Sequence, residues 1–200
     1  MTADTYLTER ERAALGSVRV GIAGAGGLGS NCAMHLVRAG VRHLVVADFD
    51  VVCESNLNRQ FYFRDQLGMR KVEALRTNLF RIDPEADVRA VDVRLDAESA
   101  REVFADCDIV VEAFDAAEAK AMLVAALAGR RMVVASGIAG WGRSNAIRAR
   151  GFGDRLVVVG DGESEVGEGL SPHSPRVGIA AAMQANAVVA MALGMPLDMV

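Results

Sequence analysis

Four kinds of residue that can handle a nucleotide follow one another in this chain. A glycine-rich run, GAGGLGSN (24–31), is followed by the acidic run DFD (48–50), by the polar run SNLNRQ (55–60) and by Lys71. Glycines let a backbone approach a phosphate closely, and carboxylates accept hydrogen bonds from ribose hydroxyls. Arginine and lysine neutralise phosphate charge. The order therefore indicates a site where the phosphates of a nucleotide take part in chemistry.

The chemistry of each candidate residue suggests a role. Asp48 would hold the ribose, with Asp50 as a secondary candidate, while Arg59 and Lys71 would neutralise charge that moves during reaction. Asp115 follows a predicted buried strand, where its carboxylate could be an oxygen ligand for Mg²⁺. The catalytic candidates are Arg59, Lys71 and Asp115, and Asp115 is also the metal candidate. The nucleotide-binding candidates are Gly24, Gly26, Gly27, Gly29, Asp48, Asp50, Ser55, Asn56, Arg59, Gln60 and Lys71.

The same residues also have ordinary structural explanations. The glycines could form a tight turn needed for packing alone, and Asp48 or Asp115 could cap the helix or turn that follows it. A single arginine or lysine is usually a solvated surface residue. The functional interpretation therefore depends on the whole ordered set of motifs.

Alternating strands and helices are predicted to position these residues. Two apolar runs at 18–24 and 43–50 enclose a helix at 28–39, which together form a βαβ unit that begins at the glycines. Thr8 and Glu11 have the spacing of a capping box, and a segment rich in glycine, serine and proline, 161–175, reads as an exposed flexible loop. Further strands are predicted at 86–95, 108–115, 131–136, 146–151 and 155–160, and further helices at 8–15, 68–82, 96–105, 116–128 and beyond residue 176. This pattern predicts an α/β fold with a doubly wound, mostly parallel sheet, whose first half is Rossmann-like and binds the nucleotide and whose C-terminal half is mixed.

Length and composition narrow the possible functions. The 200 residues suit a single domain spanning 1–200, and the net charge of −4 argues against binding of nucleic acid. No apolar run is long enough to span a membrane, and the first residues have no signal-peptide core, so a cytoplasmic location is expected. Cys32, Cys53 and Cys107 are too far apart in sequence for a zinc-binding Cys-x-x-Cys pair. His35, His43 and His173 are likewise isolated and are interpreted as ordinary surface or packing residues.

Taken together, GAGGLGSN, DFD, SNLNRQ, Gly68-x-x-Lys71 and Asp115 resemble the ThiF/MoeB family, which is related to the ubiquitin-activating enzymes. The later segments ASGIAGWG (135–142) and SPRVGIAAAMQAN (174–186) are also similar to compact members of the family, which adenylate sulfur carriers of thiamine biosynthesis. The resemblance therefore extends over most of the chain.

The resemblance implies that ATP lies on the glycine loop with its ribose at Asp48. Asn56, Arg59 and Lys71 would contact the phosphates, and Asp115 would bind Mg²⁺. The C-terminal glycine carboxylate of a small ubiquitin-like sulfur carrier protein ending in Gly-Gly would attack the α-phosphorus and release pyrophosphate. The family also implies a homodimer.

Two departures from the family pattern limit what can be transferred. This chain lacks the two Cys-x-x-Cys pairs with which many relatives bind zinc, and no cysteine follows Cys107. We therefore expect carrier activation without a thioester or acyl disulfide on the loop at 137–175. Relatives also place an arginine from a short amino-terminal segment in the partner subunit's site, and Arg10 or Arg12 could serve that role here.

Two other functions stay open on the sequence alone. An NAD-dependent oxidoreductase would use the same glycine loop and Asp48, but would have no evident use for Arg59, Lys71 and Asp115. A non-catalytic scaffold that binds a nucleotide or carrier is the third possibility. Such a scaffold would be expected to lack those three charged residues.

Overall fold

A computed structural model describes residues 6–164, 167 and 169–196 of the chain. Strands and helices alternate through most of this part, as the sequence predicts. The strands are β1 (Arg19–Ala23), β2 (His43–Asp48), β3 (Asp87–Asp92), β4 (Ile109–Glu112), β5 (Arg131–Ala135), β6 (Arg148–Phe152) and β7 (Leu156–Gly160). The helices are α1 (Glu9–Ser17), α2 (Gly27–Arg38), α3 (Lys71–Phe80), α4 (Ala97–Val103), α5 (Ala117–Ala126) and α6 (Ser174–Ala192).

The strands form one seven-stranded sheet in the order β3-β2-β1-β4-β5-β7-β6. Every neighbouring pair is parallel except β6 and β7, which are antiparallel. The sheet order reverses direction between β1 and β4, which is where doubly wound folds bind their ligands. The predicted fold class, with its parallel first half and mixed C-terminal half, is confirmed.

Hydrophobic side chains cover both faces of the central strands. On one face α2 and α6 pack against each other and against the sheet, with the fully buried Ile22, Leu36 and Val188 among their contacts. On the other face α4 and α5 enclose a smaller cluster around Phe104 and Leu123. Because both faces are covered, the central strands are continuous apolar runs in the sequence. The same packing fixes the positions of their carboxyl ends.

Several element boundaries differ from the prediction in ways that affect the site. The predicted strand at 43–50 ends at Asp48, and the predicted strand at 108–115 ends at Glu112. The capping box between Thr8 and Glu11 is present, but α1 continues through Gly16 to Ser17. In the described part of the chain, no helix is both long and apolar enough to cross a membrane.

The predicted flexible loop at 161–175 is the largest difference. Residues 165, 166 and 168 lie outside the described residues. The ends of the segment are structured, however: Asp161 is buried in an ion pair, Gly140 pairs with Pro172 in a short bridge, and α6 already begins at Ser174. The prediction is therefore wrong at Asp161, which is buried in an ion pair, and at Ser174 and Pro175, which are exposed but already belong to α6. Most of the described residues between them are exposed, as predicted.

Candidate functional site

A cavity of about 730 Å³ opens at the carboxyl ends of the central strands, and we call it the carboxyl-end cavity. Its volume is in the range of sites that hold a nucleotide-sized ligand. Nine of the predicted site residues line it, namely Gly24, Gly26, Gly27, Asp48, Asp50, Arg59, Gln60, Lys71 and Asp115. The sheet topology therefore brings together residues that are up to 91 positions apart in the sequence.

The glycine loop connects β1 to α2 and is fixed by side chains of the first turn of α2. Ser30 Oγ donates to the carbonyl of Gly26 over 2.6 Å and accepts from the amide of Phe61 over 3.0 Å. Asn31 Nδ2 donates to the carbonyls of Gly27 and Arg59 over 2.6 and 2.8 Å. These two side chains therefore hold the polar run at 55–60 against the glycine loop, beside the amides at the beginning of α2.

Gly29 lies behind the loop and does not line the cavity. A β-carbon at this position would overlap the carbonyl oxygen of Gly24. Its missing side chain therefore lets α2 pack closely against the end of β1, which is a structural role rather than ligand contact.

Asp48 is the last residue of β2 and lies at the cavity wall. Its Oδ2 accepts from the amide of Ala25 over 2.6 Å, and its Oδ1 accepts from the amide of Asp50 over 2.8 Å. Each carboxylate oxygen can accept a second hydrogen bond. Asp48 is therefore held in a fixed orientation and can still accept hydrogen bonds from a ribose.

Lys71 and Asp50 form an ion pair at the cavity wall. Lys71 is the first residue of α3, only 6% exposed, and its Nζ lies 2.8 Å from Asp50 Oδ2. The backbone strengthens this link, since the amide of Lys71 donates to the carbonyl of Asp50 over 2.9 Å. Asp50 lies two residues beyond the end of β2, so the alternation of side chains along the strand does not set its orientation relative to Asp48. Its carboxylate contacts Lys71 instead. A buried ammonium needs such a partner, which here sits beside the cavity.

Arg59 and Gln60 supply further polar groups to the cavity. Arg59 lines the cavity, and its Nη1 donates to Ser55 O over 3.2 Å and to Asn58 Oδ1 over 2.8 Å. Gln60 is 9% exposed, and its Oε1 has no hydrogen-bond partner among the described residues. A buried polar atom without a partner is unfavourable, so a ligand in the cavity could satisfy it.

Ser55 and Asn56 do not line the cavity. They belong to a short 3-10 helix, Glu54–Asn56, in which Asn56 Oδ1 accepts from the amide of Cys53 over 2.9 Å. Asn56 therefore shapes the turn that presents Arg59.

Asp115 lies three residues past β4, and its exposed side chain lines the cavity. Among the described residues there is no group of three His, Cys, Asp or Glu side chains that could hold a metal. Asp115 alone still fits Mg²⁺ chemistry, because this ion is commonly held by one or two carboxylates together with phosphate oxygens.

Glu112 and Lys120 form a second ion pair that the sequence analysis missed. Glu112 ends β4 and is fully buried, and both its oxygens lie 3.0 Å from Lys120 Nζ. Glu112 also accepts from the amides of Phe114 and Ala135 over 2.6 and 3.2 Å, while Lys120 lines the cavity. Burial raises the pKa of Glu112, although Lys120 opposes this effect. The pair holds the segment that carries Asp115.

Further lining residues come from strand ends that carry none of the predicted site residues. Arg94 lies just past β3 and covers the ring of Phe49 at 4.1 Å. Beyond β5 and β7, four residues form a separate part of the cavity, which we call the β5–β7 wall: Gly137, Ile138, Ser164 and Pro172. The rule that ligands bind at carboxyl ends of strands could have indicated these segments, but their side chains have no distinctive chemistry.

Arg10 and Arg12 lie on the exposed side of α1, and neither lines the cavity of its own chain. Arg12 Nη2 donates to the carbonyl of Leu7 over 3.3 Å. The cysteines are not paired with one another: Cys32 and Cys107 are buried and Cys53 is exposed.

Comparison with known protein families gives a match along nearly the whole chain. The sequence model of the ThiF family matches residues 4–198. The adenylyltransferase and sulfurtransferase UBA4 of Eremothecium gossypii is 35% identical over 127 residues, which are 62% of this chain and 29% of that protein. The molybdopterin-synthase adenylyltransferase of Escherichia coli is 36% identical over 127 residues, which are 63% of this chain and 51% of that protein. The chain therefore spans no more than about half the length of these relatives.

Solved structures share the fold at lower identity. The Escherichia coli tRNA N6-threonylcarbamoyladenosine dehydratase TcdA has a TM-score of 0.84 and 20% identity, with 93% of this chain and 90% of that chain covered. Its complex with ATP has a TM-score of 0.79 and 22% identity, with 93% and 88% covered. Both confirm the arrangement of sheet and helices.

Proposed function

Since this chain belongs to the ThiF family, we propose that it is an adenylyltransferase that uses ATP to activate the C-terminal glycine carboxylate of a small ubiquitin-like sulfur carrier protein. The observation that carries the proposal is the composition of the carboxyl-end cavity. It combines a glycine loop, the ribose-type carboxylate of Asp48, the cations Arg59 and Lys71 and the exposed carboxylate of Asp115, and it extends beyond them to the β5–β7 wall. The cavity thus has space for a nucleotide and for the end of a second substrate.

ATP would lie across the cavity from β3 to α2. Its base would rest near Phe49 and Arg94, its ribose would donate to Asp48, and its phosphates would lie on the glycine loop at the beginning of α2. Support comes from the relatives named adenylyltransferases and from the TcdA structures determined with AMP and with ATP.

The carrier carboxylate would attack the α-phosphorus in line with the departing pyrophosphate. The α-phosphorus to oxygen bond toward the β-phosphate breaks as the new acyl-phosphate bond forms, and pyrophosphate carries away the electron pair. A carboxylate is already ionised at neutral pH, so this step needs no general base. The products are an acyl-adenylate and pyrophosphate.

The side chains of this chain would stabilise charge and hold the reactants in position. Arg59 and Lys71 would meet the negative charge that grows on the phosphates, and their fixed positions reduce the cost of reorganisation in the transition state. Gln60 would donate to or accept from the nucleotide at the same wall. When bound, Mg²⁺ would neutralise phosphate oxygens, and Asp115 is the residue that would hold it.

The pathway is a separate part of the proposal. The compact chain resembles family members that act in thiamine (thiazole) biosynthesis. Two relatives have names that point elsewhere: one is a molybdopterin-synthase adenylyltransferase, and the other is the SAMP-activating enzyme E1 of Haloferax volcanii. We propose the thiamine pathway, a single domain over residues 1–200 and a homodimer. Carriers of more than one pathway therefore belong in the assay.

Exchange of labelled pyrophosphate into ATP tests the proposed function. The assay would compare a panel of small ubiquitin-like proteins ending in Gly-Gly with the same proteins lacking the last glycine. We expect exchange only with an intact Gly-Gly end. Tight binding of NAD together with no exchange for any carrier would contradict the proposal and favour an oxidoreductase.

A further inference from the structure

Arg176 is a buried arginine that connects three separate segments of the chain. It lies in the first turn of α6 and is 2% exposed. Its Nη2 donates to Asp161 Oδ2 over 2.7 Å, and its Nη1 donates to the carbonyls of Gly142 and Arg143 over 2.8 and 3.2 Å. Its Nε donates to the carbonyl of Ile138 over 3.4 Å. One guanidinium therefore links α6 to the segment after β5 and to the segment after β7.

Asp161 completes this link from the other side. It follows β7 directly, and its Oδ1 accepts from the amides of Glu163 and Ser164 over 2.9 and 2.8 Å. Its Oδ2 accepts from Ser164 Oγ over 2.6 Å in addition to Arg176. Both members of the ion pair are only 2% exposed in their side chains, so neither is shared with solvent.

The linked segments are the ones that form the β5–β7 wall. Gly137 packs so tightly against the Asp161 carboxylate that a β-carbon there would overlap Oδ1. The amide of Ala139 donates to the carbonyl of Ser164 over 3.0 Å, which joins the two segments again next to the wall. The position of the wall therefore depends on the ion pair, although neither charged side chain lines the cavity.

The β5–β7 wall lies outside the part of the cavity in which the nucleotide is proposed to bind. Asp48, Phe49 and Arg94 lie at the β2 and β3 end, and the glycine loop lies between β1 and α2. The order of strands continues through β4 to β5 and β7, so this wall and the proposed ribose site at Asp48 lie on opposite sides of the glycine loop, where the phosphates would bind. A second substrate that approaches the phosphates would therefore be bounded by it.

We propose that Arg176 and Asp161 are positioning residues for the second substrate: their ion pair holds the β5–β7 wall in the place where the C-terminal peptide of the carrier must lie to attack. This inference rests on the proposed function. Holding an attacking group within a fraction of an ångström of its reactive position has large effects on rate, which a distant buried pair can provide through the wall it fixes. A pair without that role would affect folding alone.

Two conservative variants test the proposal. Asp161→Asn keeps the shape of the side chain and removes its charge, and Arg176→Lys keeps the charge but cannot bond four acceptors at once. The assay uses the Gly-Gly carrier that supports pyrophosphate exchange with the unchanged protein. We expect the KM for this carrier to rise about tenfold or more in each variant. We expect the Kd of ATP to stay within about twofold, because the residues of the nucleotide half are untouched.

Glu163→Gln is the matched control, since it breaks only the exposed ion pair between Glu163 and Arg143 on the same two segments. Both side chains of this pair are well exposed, at 72% and 64%, so the variant should match the unchanged protein. If the KM for the carrier and the Kd of ATP rose by the same factor in Asp161→Asn and Arg176→Lys, the positioning role would be overturned. Failure of both variants to fold would also overturn it, because it would reduce the pair to a folding requirement.

Hydrogen exchange separates this inference from the proposed function, because it needs no carrier. In Asp161→Asn we expect faster amide exchange at 137–143 and 162–164, with exchange at 24–31 and the Kd of ATP unchanged. Equal acceleration in both regions, or in neither, would overturn the inference. A protein that shows the expected exchange pattern and binds ATP but never exchanges pyrophosphate would instead count against the proposed function.

Discussion

Lys71 Nζ lies 2.8 Å from Asp50 Oδ2, and this ion pair joins the beginning of α3 to the segment that follows β2. Lys71 is almost entirely buried, while Asp50 is about half exposed and lines the carboxyl-end cavity. The ammonium is therefore already oriented at the wall where the proposed phosphates would lie. Such preorganisation means that little rearrangement is needed when charge develops during reaction.

Replacing Lys71 should reduce activity more than stability. In Lys71→Met a buried chain of similar length is kept, and Asp50 can remain solvated, so we expect a folded protein with pyrophosphate exchange lowered by about a hundredfold. Exchange rates and circular dichroism would measure the two effects. Arg64→Ala is the control, because Arg64 forms an exposed ion pair with Glu54 away from the cavity. Similar activity for both variants would remove Lys71 from the proposed machinery.

Asp115→Ala should abolish pyrophosphate exchange at a physiological concentration of Mg²⁺ while the protein remains folded. Its side chain is exposed, so its loss should cost little stability. The matched control is Glu118→Ala, since Glu118 is an exposed acid in the first turn of α5 that does not line the cavity. A titration of Mg²⁺ would measure exchange for both. Full activity of Asp115→Ala would contradict the metal assignment.

Lys120→Met should destabilise the protein by about 3 kcal/mol, because it leaves the fully buried carboxylate of Glu112 without its cation. Adding Glu112→Gln removes that charge and should restore much of the lost stability. Urea unfolding of the two variants would measure the difference. If the double variant were no more stable than Lys120→Met, the buried pair would not be the cause.

The ion pair of Asp161 should make stability depend on pH in the acid range. Burial disfavours its charge, but hydrogen bonds from Ser164 and Glu163 and the contact with Arg176 outweigh burial and hold the pKa of Asp161 well below its usual range. A lowered pKa in the folded state adds stability above about pH 4, the unfolded value, and that stability is lost as pH falls toward the folded pKa.

The measurement is the free energy of unfolding of the unchanged protein and of Asp161→Asn between neutral and acid pH. We expect the difference between the two proteins to be largest near neutrality and to shrink as the pH falls below about 4. A difference that stays constant across this range would show that the charge of Asp161 does not contribute.

The sequence predicted the fold class and most strands because their signals are local. The βαβ unit around residues 24–31 depends on apolar runs and glycines, which need no distant partner. Nine candidate site residues line one cavity because the carboxyl ends of parallel strands meet at one edge of the sheet, a rule that needs only the predicted strand order.

The remaining features depend on contacts between distant residues. Nothing near Arg176 in the sequence indicates that it pairs with Asp161, and the surrounding glycines and serines suggest solvent exposure instead. Asn56 and Gly29 belong to motifs that suggest ligand contact, yet their places are set by a local turn and by close helix packing. Composition and spacing carry no information on which side of a motif faces the cavity.

The proposed adenylation is tested most directly by intact mass spectrometry of a Gly-Gly carrier incubated with the protein, ATP and Mg²⁺. We expect the carrier to gain one adenylyl group, with one pyrophosphate released for each, and the gain to be absent when the last glycine is removed. An unchanged carrier mass while ATP is converted to ADP and phosphate would contradict adenylation.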